Sequence, residues 1–262
     1  MTMLTHPPAD GPALSAGRLA ALRRDAWRAA APCFLLLAVA AGGLSVLGEL
    51  SPWFKLKAAA LFAAAFAWVL HGLPAHAPNA HFGAANRVTL ARLVLVALLA
   101  ACIGEPLADA EAMAWCVIVA GTTAALLDAV DGPIARRNGL ASEFGARFDM
   151  ETDALLTFVL CLLVFHFDKA GAWILAAGLM RYAFVLAMKP WPWLARPLAP
   201  SQRRKAVCVA QITSLLVCLG PIIALPWSRA IAAASLAALT ASFAIDIAWL
   251  IRHRASSLEP AS

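Results

Sequence analysis

Five carboxylates crowd into 26 residues of a chain that is otherwise strongly apolar: Asp128, Asp131, Asp149, Glu151 and Asp153. A carboxylate is expensive inside hydrocarbon, so each one embedded in an apolar stretch is a functional candidate by default. Residues three, four and seven apart share a helix face. Asp128, Asp131, Gly132 and Ala135 therefore point one way on one helix, while Gly145, Asp149 and Asp153 form a stripe on the next, with Glu151 off that stripe. Antiparallel packing of the two helices brings four aspartates into one pocket, where unpaired anions repel. Hard divalent cations relieve that repulsion, and an oxygen-only donor set without histidine or thiolate suits magnesium or manganese rather than zinc. Gly132 and Gly145 leave room for a ligand or a neighbouring helix, Arg136 adds a cation, and such a pocket suits a pyrophosphate. Two plainer readings are carboxylates solvated in a wet headgroup region and an ion pathway in a transporter. The spacing weighs against both, because every defined position has a chemical use.

These residues must be positioned by membrane-spanning helices. The 262 residues are 62% hydrophobic and 14% charged, with a mean hydropathy of +0.77, against about 25% charged in a soluble domain. Eight apolar stretches approach bilayer-crossing length: Pro32–Gly48, Leu56–Leu73, Val88–Ile103, Ala112–Ala135, Gly145–Phe167, Ala172–Met188, Ala206–Leu225 and Ala230–Ile251. The fold class is thus an all-α polytopic membrane bundle, and the short polar segments exclude a large extramembrane catalytic domain. The N-terminal segment 1–31 is too long a polar lead for an ordinary signal peptide, so the first span is expected to remain as an anchor. Alternating the eight spans places seventeen Lys and Arg on one side and four on the other (Lys55, Lys57, Lys169 and Arg229). The positive-inside rule then puts both termini, including the tail 252–262, and the aspartates in the cytoplasm.

Composition excludes other classes. The six cysteines lie in apolar stretches without C-x-x-C spacing, which argues against a disulfide scaffold or a zinc site. A net charge of +6 comes with no nucleic-acid-binding signature, so anionic headgroups are the expected partners and nucleic acid is not.

Read as a pattern, the carboxylate region is Asp128-x2-Asp131-Gly132-x2-Ala135-Arg136-x8-Gly145-x3-Asp149-x3-Asp153. It resembles the signature of the CDP-alcohol phosphatidyltransferase family, matched without a gap. The resemblance covers about residues 86–251, a six-span core, leaving spans 32–73 as two N-terminal additions. Weaker family-like features are Asn86-x2-Thr89-x2-Arg92, and Lys205 followed six residues later by Gln211. The resemblance implies transfer of a phosphatidyl group from a CDP-linked lipid, with CDP-diacylglycerol the expected donor, to an alcohol, releasing CMP. A CDP-aminoalcohol donor with a diacylglycerol acceptor is the alternative within the family; an ion-coupled transporter is the alternative outside it. By the same resemblance, Asp128, Asp131 and Asp149 hold Mg2+ or Mn2+, in a two-metal site, and Asp153 accepts the nucleophile's proton and touches a metal. Gly132, Ala135, Arg136 and Gly145, with Asn86 and Thr89, shape the CDP site, and a homodimer is expected. Arg181 and Lys189, eight apart, are similar to an arginine pair in members with phosphorylated acceptors, and Lys205 is a further acceptor candidate. Lysine lacks the bidentate fork of arginine, and Tyr182 stands where an acidic residue often follows, which weakens that assignment.

The remaining polar residues read plainly. His71, His76 and His81 are five apart and do not share a helix face, Asp246 is expected as a hydrogen-bonded structural carboxylate, and Arg203, Arg204 and Lys205 read as a headgroup-contacting run. Glu49, Glu105, Asp109, Glu111 and Asp168 read as solvated outer-loop charges.

Overall fold

The computed structural model of the protein describes residues 16–76, 81–106, 109–137 and 142–253, with the side chains of 16, 47 and 129–137 outside that description. Eight α-helices and no strand occur among the described residues: α1 (Ala16–Leu47), α2 (Trp53–Gly72), α3 (Ala84–Ala101), α4 (Ala110–Arg137), α5 (Glu143–His166), α6 (Leu175–Ala187), α7 (Gln202–Leu219) and α8 (Trp227–Arg252). Five stretches are long and apolar enough to cross a membrane: Gly17–Val46, Trp53–His76, Ala84–Ala101, Ala110–Asp128 and Trp227–Arg252. The protein is an integral membrane protein with an all-helical polytopic bundle. The α5 helix carries its charges in its first turns, and α6 has only 13 residues, about 20 Å of rise against a hydrocarbon core of about 30 Å. A 3-10 turn at Ala172–Ile174 leads into α6.

The first helix begins well before the expected span. It runs from Ala16 through Pro32 without a break, so Arg18, Arg23, Arg24 and Arg28 ride on the same helix as the apolar stretch. Its Trp27 and Phe34 pack edge-on against Phe66 and Phe62 of α2, with ring centroids 4.9 and 4.8 Å apart. Phe54, Ala58, Phe62, Phe66 and Val69 share one buried face of α2, while Leu56, Leu61 and Trp68 on other faces are exposed. Apolar side chains on the outer faces are what lipid, not water, accommodates.

Helix α3 occupies the centre and packs against α1, α2, α4 and α5, while α7 contacts α4, α5 and α8. The α5 and α6 backbones approach closely at Gly178: a Cβ there would lie 2.8 Å from the Phe158 Cα. All six cysteines are unpaired.

One outer-loop charge is not solvated. Glu105, in the α3–α4 connection, is 2% exposed because its carboxylate accepts from the Ser51 N–H at 2.7 Å and the Ser51 hydroxyl at 2.9 Å, and pairs with Lys57 of α2. Burial pushes its carboxyl up, but the bonds from Lys57 and Ser51 outweigh this and hold it below its ordinary range. A pKa lowered on folding contributes stability that is complete above the unfolded value and lost as pH falls through the folded one. Glu105→Ala should therefore cost about 2–3 kcal/mol at neutral pH, a deficit relative to wild type that shrinks in acid. Detergent-solubilised melting curves at neutral and acidic pH check this; an equal deficit at both would contradict it.

Candidate active site

Three aspartates meet where α3, α4 and α5 pack. Carboxylate oxygens of Asp128, Asp149 and Asp153 all lie within 4.8 Å of one another. The helix spacing explains the arrangement: Asp149 and Asp153 are one turn apart on α5, and Asp128 faces them from α4. At such a separation and an effective dielectric of about 20, each like-charged pair costs about 3–4 kcal/mol.

A buried arginine offsets part of that repulsion. Arg92 of α3 is 1% exposed; its Nη1 donates to Asp149 Oδ1 at 2.5 Å and lies 2.9 Å from Asp128 Oδ1, and its Nη2 pairs with Asp153. Its Nε donates to the Ala124 carbonyl of α4 at 3.2 Å. One guanidinium against three carboxylates leaves two negative charges uncompensated among the described side chains. The aspartate side chains are each 38–40% exposed, so an ion has access. Three hard oxygen donors, a surplus of negative charge and an open approach fit a divalent cation.

The start of α5 is fixed from several sides. Ser142 is its N-cap and accepts from the Gly145 N–H at 3.0 Å. The same hydroxyl lies 2.7 Å from His76 Nδ1, and His76 Nε2 is 2.9 Å from the His81 carbonyl, so the N-terminal helices reach this cap. A Cβ at Gly145 would meet Asn86 Oδ1 at 2.9 Å; glycine is what lets Asn86 approach. Asn86 in turn donates to the Phe82 carbonyl at 2.6 Å, and the Phe82 N–H donates to Asp25 of α1 at 2.9 Å. Thr89 is buried and its hydroxyl donates to the Ala85 carbonyl within α3.

The other sequence candidates fall in several places. The side chains of Asp131, Gly132, Ala135 and Arg136 lie outside the described residues, although all four belong to α4; the turn expected at Asn138-Gly139 is likewise outside them. Arg181 of α6 pairs with Glu151 at 2.5 Å and lies 2.9 Å from Met150 Sδ. Lys189 is exposed just beyond α6, and Lys205 lines an open groove on α7 away from the aspartates. Arg203 and Arg204 both pair with Asp246 of α8.

Two cavities reach the cluster from opposite sides of α7. A groove of about 570 Å³ between α4 and α7 runs from Trp115 and Ile222 to Asp128 and Arg92. A second cavity, of about 330 Å³, is enclosed by α5, α6, α7 and α8 and reaches Asp128 and Asp153. Arg181, Arg204, Gln211 and Asp246 also line it. Sequence reasoning named Arg92 and Gln211 only as members of family-like features and assigned neither the counter-charge nor the cavity role. The available signals were a cation sharing a face with Asn86 and Thr89 at three-residue steps, and an amide within an apolar run.

Replacing Arg92 with methionine should leave three carboxylates facing one another and lower the melting temperature in metal-free detergent. Added Mn2+ should restore more of that loss in R92M than it adds to wild type. Equal stabilisation of both proteins would show that Arg92 and the cation do not share a charge-neutralising role.

No curated protein and no solved structure gives a significant match to the chain. The family model for CDP-alcohol phosphatidyltransferase matches residues 82–245, more than half of its length. With the ungapped aspartate motif on α4 and α5, this shows that the chain belongs to the CDP-alcohol phosphatidyltransferase family, whose members are transferases for substituted phosphate groups and generally use divalent metals.

Proposed function

We propose that this protein transfers a phosphatidyl group from CDP-diacylglycerol to an alcohol hydroxyl and releases CMP. The observation that carries the reading is the meeting of Asp128, Asp149 and Asp153 at a point reached by two separate cavities. A lipid-linked donor suits the α4–α7 groove. From Trp115 to Asp128 it follows α4 for about 20 Å, with Ile118, Leu126, Leu216 and Ile223 along its walls, so acyl chains lie along it while the diphosphate reaches the aspartates. Asn86, Thr89, Gly132, Ala135, Arg136 and Gly145 would bind the cytidine diphosphate portion.

Asp128, Asp131, Asp149 and Asp153 would hold the divalent cation, Mg2+ or Mn2+, in a two-metal site. When bound, it supplies charge neutralisation at the diphosphate and polarises the phosphorus centre. The protein's own residues do the rest. Asp153 takes the proton of the acceptor hydroxyl as that oxygen bonds to phosphorus; the phosphorus–oxygen bond to CMP breaks, and CMP leaves toward the cytoplasm. Arg92 holds the aspartates in register while charge shifts among them.

The eight-span topology with both termini and the site facing the cytoplasm belongs to the same proposal and is supported by the charge asymmetry between loops. So do the division into a six-span core at 86–251 with two added spans at 32–73, and the homodimer.

Purified protein given CDP-diacylglycerol, Mn2+ or Mg2+ and pooled alcohols should release CMP and form a new phospholipid identified by mass spectrometry. Asp153→Asn should lower turnover by at least about 1,000-fold while leaving a membrane-inserted, folded protein. Undiminished turnover would remove Asp153 as the proton acceptor. Product formation only from a CDP-aminoalcohol and diacylglycerol would replace the donor assignment.

A further inference from the structure

The cavity bounded by α5, α6, α7 and α8 is mostly apolar, with a few polar side chains in its wall. Gln211 is 2% exposed, lines this cavity, and has no hydrogen-bond partner at either Oε1 or Nε2. A buried amide with both ends unpaired costs about 1–3 kcal/mol per group, so an occupant that satisfies both is strongly favoured. Because both ends are open, the amide's orientation does not alter the requirement. A phosphate or carboxylate offers only acceptors and leaves Oε1 facing an anion; an ammonium offers only donors and leaves Nε2 unmet. A hydroxyl donates to one and accepts from the other.

The cations of the same cavity are already committed. Arg181 is bound to Glu151 at 2.5 Å, and Arg204 to Asp246 and to the Ala199 carbonyl. The charged side chains lining the cavity are Arg181 and Arg204 against Asp128, Asp153 and Asp246, so a phosphate there meets more negative than positive charge. The Nε–H of Arg181 is buried without a partner, one further donor for a hydroxyl oxygen. Phe184, Ile212, Leu239 and Phe243 supply apolar walls, and Asp153 stands at the inner end.

We infer that this cavity is the acceptor site and that it takes an uncharged, hydroxyl-rich alcohol, read by Gln211 and the Arg181 Nε–H, rather than a phosphorylated or zwitterionic one. This rests on the transferase reading: the acceptor hydroxyl next to Asp153 is the one that bonds to phosphorus, and its proton passes to Asp153 as CMP leaves.

The test presents CDP-diacylglycerol and Mn2+ with glycerol or myo-inositol in one series, and with glycerol 3-phosphate, myo-inositol 1-phosphate or L-serine in the other. CMP release should occur with the first series at KM values at least about 10-fold lower than with the second. Gln211→Met, close in shape and without the amide, should raise the KM for the uncharged alcohol about 10- to 100-fold and leave the KM for CDP-diacylglycerol unchanged. Preference for the phosphorylated or zwitterionic series, or an unaltered acceptor KM in Q211M, overturns the inference while leaving the transferase reading intact. If no pairing releases CMP, transfer from CDP-diacylglycerol to these alcohols fails as a reading, and thermal stabilisation of the purified protein decides the cavity's ligand separately. Stabilisation by myo-inositol or glycerol that Q211M abolishes supports an uncharged polyol site; stabilisation by the charged compounds alone, or by none, overturns it.

Discussion

A single buried guanidinium holds the centre of this protein together. Arg92 on α3 touches carboxylates on both α4 and α5 and the α4 backbone at Ala124. In a low-dielectric interior, such a group is tolerable only when its donors are occupied, and the three aspartates are tolerable as neighbours only because it lies among them. The mutual dependence fixes the rotation of α3, α4 and α5 about their axes. It also leaves the cluster short of positive charge, which is the condition a divalent cation meets.

Around that centre, α7 acts as a partition. Val209 and Ile212 of α7 line both cavities, and Asp128 is common to both as well. A long apolar groove on one side and a mostly apolar cavity with a few polar side chains on the other give two approaches to the aspartates. Positioning of this kind, with charge neutralisation, is most of what phosphoryl-type transfer asks of a protein. The helices outside the family match contribute to the same end. Asp25 of α1 binds the backbone at Phe82, and His76, just beyond α2, contacts the Ser142 cap of α5, so α1 and α2 brace the segments that carry Asn86 and Gly145.

Much of this was legible in the residues. Three-, four- and seven-residue spacing placed Asp128 on one face and Asp149 and Asp153 on another, and each apolar stretch coincides with a helix, five of them long and apolar enough to cross a membrane. Glu151 was correctly set apart, since its position on α5 directs it to Arg181. What the sequence concealed were pairings between distant positions. Arg92 read only as an inner-side cation and a member of the Asn86-x2-Thr89-x2-Arg92 feature, because the carboxylates it pairs with are about 36 to 61 positions away. Glu105 read as solvated because nothing local reveals that Ser51 and Lys57 surround it. Helix beginnings also differed: Arg-rich turns of α1 continue the apolar helix, and Gln202–Lys205 belong to α7, because charged residues at an interface remain compatible with helix even where they depart from hydrocarbon.

The central claim is that the aspartate cluster performs metal-dependent phosphatidyl transfer. It is tested most directly by measuring CMP release from CDP-diacylglycerol with pooled alcohols as Mn2+ is titrated into metal-free purified protein, for wild type and Asp149→Ala in parallel. The account predicts no release without metal, saturable release with it, and none from D149A at the same concentrations. Release that persists unchanged in chelator, or equally in D149A, would contradict it.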